Sequence, residues 1–312
     1  MILSIGSVDE PVRERLAPHG PLVEVPPDDR ETIDRWLPET VGIVARAAAV
    51  IDAPLIEAAP LLRVIGRSGV GVERVDLDAA TRRGIPVVVT PNGGTRGVAE
   101  GALALMLHLV KRLGPLTAVV ADGRWREREA VPLGDLDGAT LAVIGYGRIG
   151  RRVAELASAF GMRVLAHDPY ADDAPCGLEE ALGAADVISL HAPLTTETQG
   201  LIGDAALRLV KPGAVVINCG RGGLLDLDAA YDALRDGRLS GVGLDVFDPE
   251  PPGDHPLFHH PGVVLTPHVM ALSRRARALV FEEMAAGMDD VLCGRRAPAV
   301  ANPRVYEPAR TV

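Results

Sequence analysis

Short runs of Val, Ile and Leu alternate with Ala-rich stretches of helical period from one end of the chain to the other. ILSI from Ile2, VGIV from Val41, RVIG from Arg63, LAVIG from Leu141, MRVLA from Met162, DVISL from Asp186, AVVIN from Ala214 and GVVLT from Gly262 each read as a strand. The runs are continuously apolar rather than alternating. That is the mark of parallel strands covered on both faces. Strands separated by helical stretches in this way predict an α/β fold built on doubly wound parallel sheets.

The segment TPNGGTRG, residues 90–97, gathers turn residues just before a long helical stretch, VAEGALALMLHLVKR. It marks a domain boundary. A second boundary is expected near Gly287, because the tail beyond it is short, Pro-rich and unable to fold alone. The expected organisation is one domain over 1–97, a second inserted over 98–286, and a tail, 287–312, that returns to the first. Two chain crossings predict a hinge and a cleft.

Composition narrows the chemistry. At 47% hydrophobic the chain can bury a large core, and with only 3% aromatics that core must be filled by Ala, Val and Leu. A net charge of −10 argues against nucleic-acid backbones or anionic membranes as partners. Cys176, Cys219 and Cys293 are scattered, which suggests neither a disulfide framework nor a CxxC metal site. A reducing, cytoplasmic setting is expected. The N-terminus reads as a first strand rather than a signal peptide, and no apolar run is long enough to predict a membrane span. No metal is expected: the histidines of HPLFHH do not have HExxH spacing. With His19 and His108, His255, His259 and His260 read as surface or packing residues.

LAVIG runs into Gly145-Tyr146-Gly147-Arg148-Ile149-Gly150, and the helix RRVAELASAFG follows. A GxGxxG alone is weak evidence. Here it has a strand before it, a helix after it, a second strand and then an acid. Gly145 would permit the tight turn, Gly147 the approach of pyrophosphate, and Gly150 close helix–strand packing. The helix N-terminus would hold the phosphates. Asp168, at the end of the second strand, would accept from the ribose hydroxyls and repel a 2′-phosphate, favouring NAD over NADP. It outweighs Arg148 and Arg151 as possible 2′-phosphate ligands.

Three later residues sit at strand ends, where ligands collect in open α/β sheets. They are Arg221 in AVVINCGRGGLL, Glu250 in GLDVFDPEPP and His268 in VVLTPHVM. Arg221 can hold a carboxylate through two parallel hydrogen bonds. His268 can pass a proton to a carbonyl oxygen as hydride reaches the carbon. Glu250 can bond the other imidazole nitrogen, orienting the ring and favouring its charged form. This is the set that a 2-oxo-acid reductase requires.

Taken together, GYGRIG with HDP, DVISLHAPLTTETQGLIG, LVKPGAVVINCGRGGLLD, GLDVFDPEPP and LTPH closely resemble the D-isomer-specific 2-hydroxyacid dehydrogenase family. The likeness runs over nearly the whole chain. It implies a Rossmann NAD-binding domain inserted into a flavodoxin-like substrate domain, and Arg221, Glu250 and His268 as the catalytic set. It implies a cofactor set of Gly145, Gly147, Arg148, Ile149, Gly150, Asp168, Pro169, His191, Ala192, Pro193, Thr198, Cys219, Gly220, Arg221, Asp245 and His268. Asp245 would lie near the nicotinamide, and Cys219 would be a small wall residue. A homodimer through the inserted domain is also implied, with the arm after Gly114, including Trp125, as the contact.

The first domain is most similar to the 3-phosphoglycerate dehydrogenase branch, through ARAAAVI and RVIGRSGVGVERVDLDAATRRGIPVVVTPNG. That likeness implies that Arg46 and Arg67 serve a phosphorylated substrate and that Ser68, Gly69 and Val70 offer backbone N–H groups to its carboxylate. With Arg221 they suit a small phosphorylated, phosphonated or otherwise dianionic 2-oxo acid. Three positions depart from the pattern: Ala47–Ala49 after Arg46, Glu73-Arg74 after the loop, and Met270 in place of a small residue, which would narrow the pocket mouth. The long regulatory extension of some members is lacking, which argues against serine feedback. A glyoxylate/hydroxypyruvate reductase is the alternative within the family, and an NAD-sensing corepressor-like binding protein the alternative of another class.

Overall fold

The structure, a computed structural model, describes residues 1–46 and 48–307. The chain divides into two compact units: Met1–Gly94 together with the chain from Arg274 onward, and Thr95–Ser273.

The first unit is a five-stranded parallel sheet of β1 (Ile2–Ile5), β2 (Leu22–Val25), β3 (Gly42–Ala45), β4 (Val64–Arg67) and β5 (Val87–Val88) in the order β2-β1-β3-β4-β5. This is the flavodoxin-like order. Alternate residues of each strand feed two separate cores. Leu3, Ile5, Ile43, Ala45 and Ile65 face one, and Ile2, Val44, Val64 and Val88 the other. Burial on both faces is why these strands read as unbroken apolar runs.

The second face is covered by the helix Arg274–Leu292. This corrects the expected boundary near Gly287, which lies inside that helix. Gly287 is a contact glycine, not a linker glycine: a Cβ there would lie 2.6 Å from Val88 Cγ1. Gly66 is similarly a notch for Met288, whose Sδ a Cβ would meet at 2.2 Å. The chain therefore returns at Arg274, and the segment after the helix packs on β5. Val88 and Val300 form an antiparallel bridge, and Asn302 accepts from Val87 N at 2.8 Å.

The second unit is a six-stranded parallel sheet of β6 (Thr140–Ile144), β7 (Arg163–His167), β8 (Val187–Leu190), β9 (Ala214–Asn218), β10 (Leu239–Leu244) and β11 (Val263–Leu265), ordered β11-β10-β9-β8-β6-β7. The order reverses between β6 and β8, which places the ligand crevice of an open sheet there. The segment after β7 adds no further strand and makes only an isolated bridge between His167 and Pro175. Its two cores lie on opposite faces, with the helices Thr95–Val110 and Arg148–Ala159 on one of them. The helix expected from Val98 begins at Thr95 and ends at Val110. A left-handed Arg112 (φ 51°) then turns the chain into the helix Leu113–Ala121. Among the described residues no single helix is long and apolar enough to cross a membrane.

Candidate active site

The three glycines of Gly145–Gly150 do different work. Gly145 has φ +92°, and a Cβ on it would lie 2.4 Å from Ala192 N. A Cβ on Gly150 would lie 2.1 Å from Gly145 O. At both positions backbone meets backbone. Gly147, by contrast, faces open space, with nothing within 4 Å of an added Cβ. It precedes the helix Arg148–Ala159, whose first turn takes no side-chain cap. The N–H groups of that turn are thus placed for an anion. One glycine open to a ligand between two that close the turn is the arrangement a dinucleotide needs.

The contrast gives a prediction. Gly150→Ala should cost about 1–3 kcal/mol of stability through overpacking. Gly147→Ala should melt within a few degrees of wild type yet bind NADH more weakly. Thermal unfolding and NADH titration of both variants check it; equal melting losses would show that the two glycines are not separable.

Asp168 follows β7 directly. Its Oδ2 accepts from Tyr146 N at 2.8 Å and its Oδ1 from Tyr170 N at 3.0 Å. The carboxylate is thereby fixed beside the glycine turn. Arg151 is committed elsewhere: it pairs with Asp173, with Nη2 to Oδ1 at 2.7 Å, and stacks over Tyr146. Arg148 is exposed at the helix start and Pro169 is exposed after Asp168, while Ile149 packs into the core. Across the crevice, His191 Nε2 bonds Ser189 Oγ at 2.8 Å. Its Nδ1 is buried without a partner among the described residues, and burial holds the ring's pKa down at about 4. Such an orphaned polar atom beside Gly145 fits a bound cofactor better than a closed protein core. Thr198 donates to Pro193 O at 2.7 Å and accepts from Thr195 N at 2.8 Å, shaping the loop after β8. Cys219 is buried, and burial pushes its thiol up to about 12. That disfavours the thiolate that a nucleophile requires.

Arg221, Glu250 and His268 follow β9, β10 and β11, three strands adjacent in the sheet. A chain of contacts connects them. Fully buried Asn218 accepts from Gly220 N at 3.1 Å and donates to Arg221 O at 2.9 Å, pinning the turn that carries Arg221. Gly222 lets that turn lie on the loop after β10, since a Cβ there would be 2.0 Å from Phe247 C. Phe247 N donates to Glu250 Oε1 at 3.1 Å. Glu250 in turn meets His268 Nδ1 with Oε1 at 3.0 Å and Oε2 at 2.8 Å. His268 is left-handed, φ 53°. Asp245 is 2% exposed and accepts from Thr266 Oγ1 at 2.7 Å, Val269 N at 2.9 Å and Met270 N at 3.2 Å. It therefore brackets the histidine from both sides. Asn218, Gly222 and Thr266 were not among the expected site residues. Gly222 and Thr266 act through contacts between strand ends, which local spacing does not carry, whereas Asn218 acts within its own turn.

In the first unit, Arg46 Nη1 donates to Ser7 O at 2.6 Å, and its guanidinium lies 5.0 Å from the Phe281 ring. The guanidinium of Arg277 lies 5.4 Å from the same ring and pairs with Asp9. Burial first, and then the charge of Arg277, holds Arg46 below its ordinary pKa. Arg67 is 9% exposed and donates through Nε to Gly71 O at 2.9 Å and through Nη1 to Ala45 O at 3.2 Å, bracing the loop it precedes. The N–H groups of Ser68 and Gly69 also differ from expectation. They already donate to the carbonyls of Ala45 and Arg67, at 3.2 and 2.9 Å. Val70 is half exposed. Ala47 lies outside the described residues. Met270 has a definite seat. Its side chain is packed into a notch at Gly101, where a Cβ would meet its Sδ at 2.2 Å.

The HPLFHH histidines have local partners: His255 with Asp228 and Leu257 N, His259 with Asp254, and His260 with Gly262 N. His19, Asp289 and Cys293 bring ligand-type atoms within 4.8 Å of one another, but Asp289 is already bonded by His19 at 2.8 Å and by Arg295 at 3.3 Å.

Residues 103–270 match the NAD-binding domain of D-isomer specific 2-hydroxyacid dehydrogenases. The chain is 38% identical over 310 residues to D-3-phosphoglycerate dehydrogenase of Sus scrofa, covering 96% of this chain and 58% of that one. The chain belongs to the D-isomer-specific 2-hydroxyacid dehydrogenases. Among solved structures, the chain is similar to the TT0316 protein of Thermus thermophilus, with TM-score 0.89, 38% identity, and 96% and 99% of the two chains covered. It is also similar to a glyoxylate reductase from Paecilomyes thermophila, with TM-score 0.86, 28% identity, and 97% and 98% covered. The chain spans about half the length of the curated relatives it matches. Its matched segment falls within the unit Thr95–Ser273 and contains the glycine turn, Asp168, Arg221, Glu250 and His268.

Proposed function

We propose that this chain catalyses NAD-linked interconversion of a small dianionic 2-oxo acid and its 2-hydroxy acid. The observation that carries the reading is the Glu250–His268 pair, joined through Phe247 and Gly222 to Arg221 in the unit that holds the dinucleotide turn. NADH, when bound, supplies the hydride. Gly147 and the N-terminus of the helix Arg148–Ala159 hold the pyrophosphate, and Asp168 the adenosine ribose. Arg221 grips the substrate carboxylate with its planar fork. Glu250 engages Nδ1 of His268, so Nε2 is the nitrogen left to give a proton to the carbonyl oxygen at C2, and to recover it in reverse.

Arg46 is the residue that favours a second anionic group. Two guanidiniums rest on Phe281, and of the two it is Arg277 that has a carboxylate bonded to it, Asp9. Asp9 and Glu24 offset part of their mutual repulsion, and a further anion would offset more of it. The Sus scrofa relative is named for 3-phosphoglycerate. We assign this chain the same class: 3-phosphoglycerate with its 2-oxo partner, or a phosphonated analogue such as phosphonopyruvate. The commitment of Arg67 to Gly71 and Ala45 favours a second reading, a glyoxylate/hydroxypyruvate reductase with no second anion site. The exposed apolar side chains Val120, Trp125 and Leu133 suit a homodimer contact, and three free cysteines suit a reducing cytoplasm.

NADH oxidation should be followed with phosphohydroxypyruvate, phosphonopyruvate, hydroxypyruvate and glyoxylate, for wild type and Arg46→Gln. The expected result is preference for a phosphorylated or phosphonated acid that falls at least tenfold in the variant, a loss of about 1.4 kcal/mol. Equal loss on glyoxylate would reduce Arg46 to a structural residue. No turnover of any 2-oxo acid would move the chain to an NAD-sensing binding protein.

A further inference from the structure

Met270 stands two residues after His268, and its side chain is turned into the helix Thr95–Val110. A Cβ on Gly101 would lie 2.2 Å from Met270 Sδ, 2.6 Å from its Cγ and 3.0 Å from its Cβ. Gly101 is a buried glycine in the middle of an otherwise Ala- and Leu-rich helix, where alanine is the better helix former. The residue gives up helix propensity for a notch, and the notch is filled by one side chain. The backbone of Met270 is held too, by its N–H on Asp245 at 3.2 Å, and Val269 N lies on the same carboxylate at 2.9 Å. His268 itself has lighter anchors: its N–H donates to Thr266 O at 3.0 Å, within the same segment, and its ring meets Glu250. It is left-handed and half exposed, on a loop between β11 and the point where the chain leaves the unit.

We propose that Met270 is a positioning residue: seated in the Gly101 notch, it locks the segment 266–272 and thereby sets His268 against Glu250. The proposal rests on the reading of His268 as proton donor. Buried packing of this kind transmits because the interior is close-packed and gives little. A shift of about 1 Å in a catalytic group is enough to cost on the order of 100-fold in rate.

The test is a volume exchange. Gly101→Ala fills the notch, Met270→Ala empties it, and the double variant removes the Sδ and Cγ overlaps while leaving only the Cβ contact. With phosphohydroxypyruvate and NADH, Gly101→Ala should lower kcat by about 10- to 100-fold. Its NADH affinity should stay near wild type, and the alkaline limb of its pH–rate profile, where a proton donor fails, should move. The double variant should recover most of that loss, a non-additivity expected only of residues in contact. Multiplying losses in the double variant, or an unchanged kcat in Gly101→Ala, would overturn the lock. Amide exchange at Val269 and Met270 reads the loop without any turnover. Should His268→Ala remain active, the proton-donor reading has failed and exchange alone decides. Faster exchange in Gly101→Ala that returns in the double variant then supports the lock, and unchanged exchange overturns it.

Discussion

Replacing His268 by alanine is expected to lower kcat about 10²- to 10⁴-fold, the range of a positioned acid–base group. NADH should still bind, because the glycine turn and Asp168 hang on different strand ends from His268. Glu250→Gln should give a smaller loss. The amide can still accept from His268 Nδ1 and from Phe247 N, but the negative charge is gone. The ordering of the two variants is the informative part. Equal losses would mean that Glu250 acts as more than an orienting partner. Retention of activity in His268→Ala, with NADH bound, would remove the histidine from the chemistry altogether. Single-turnover reduction of phosphohydroxypyruvate, with binding measured separately, separates these outcomes.

Much of this architecture is legible from hydrophobic pattern. Ile2–Ile5 and Ala214–Asn218 can be read as strands because they bury both faces, and both faces are apolar. Three strands escape that pattern, β2, β5 and β10, and β10 does so for the opposite reason. Gly241 and Gly243 carry no side chains because Leu109 and Leu105 of the helix Thr95–Val110 press directly on the sheet there, 3.1 and 3.2 Å from where a Cβ would be. Gly287 misleads in the same way. A glycine between apolar residues looks like a break, yet here it marks two elements in contact rather than two elements parting. The chemical residues show a parallel split. Arg221, Glu250 and His268 are conspicuous as polar residues at strand ends. What holds them is less so: Asn218 pins the turn after its own strand, while Gly222 against Phe247 and Asp245 bridging to residues 266–270 are contacts between different strand ends. The same applies to Met270, which looks in sequence like a bulky intruder on a pocket and in space fills a hole left for it.

Arg221→Lys carries the other large expected effect, and it isolates geometry from charge. Both side chains are cations, so any long-range attraction for the substrate is kept. What is lost is the fork. A guanidinium presents two parallel N–H donors to a carboxylate, whereas an ammonium presents a point charge on a flexible stem. The turn that carries Arg221 is tightly specified. Asn218 grips its carbonyl, Leu224 N donates to it at 3.1 Å, Gly222 is pressed on Phe247, and Arg221 Nη1 donates to Gly220 O at 2.9 Å. The guanidinium starts close to where it is needed, and a lysine has no second nitrogen with which to repeat that bond while serving substrate. One charge-assisted hydrogen bond is worth about 1.5–3 kcal/mol, so kcat/KM should fall on the order of 10- to 100-fold. Most of that should appear in KM if the fork only binds the carboxylate. A fall in kcat as well would mean that Arg221 also stabilises charge developing on the C2 oxygen as hydride arrives. Kinetics with glyoxylate, which has one carboxylate and no second anion, decide between the two. Unchanged kinetics in Arg221→Lys would show that the carboxylate is held by other residues.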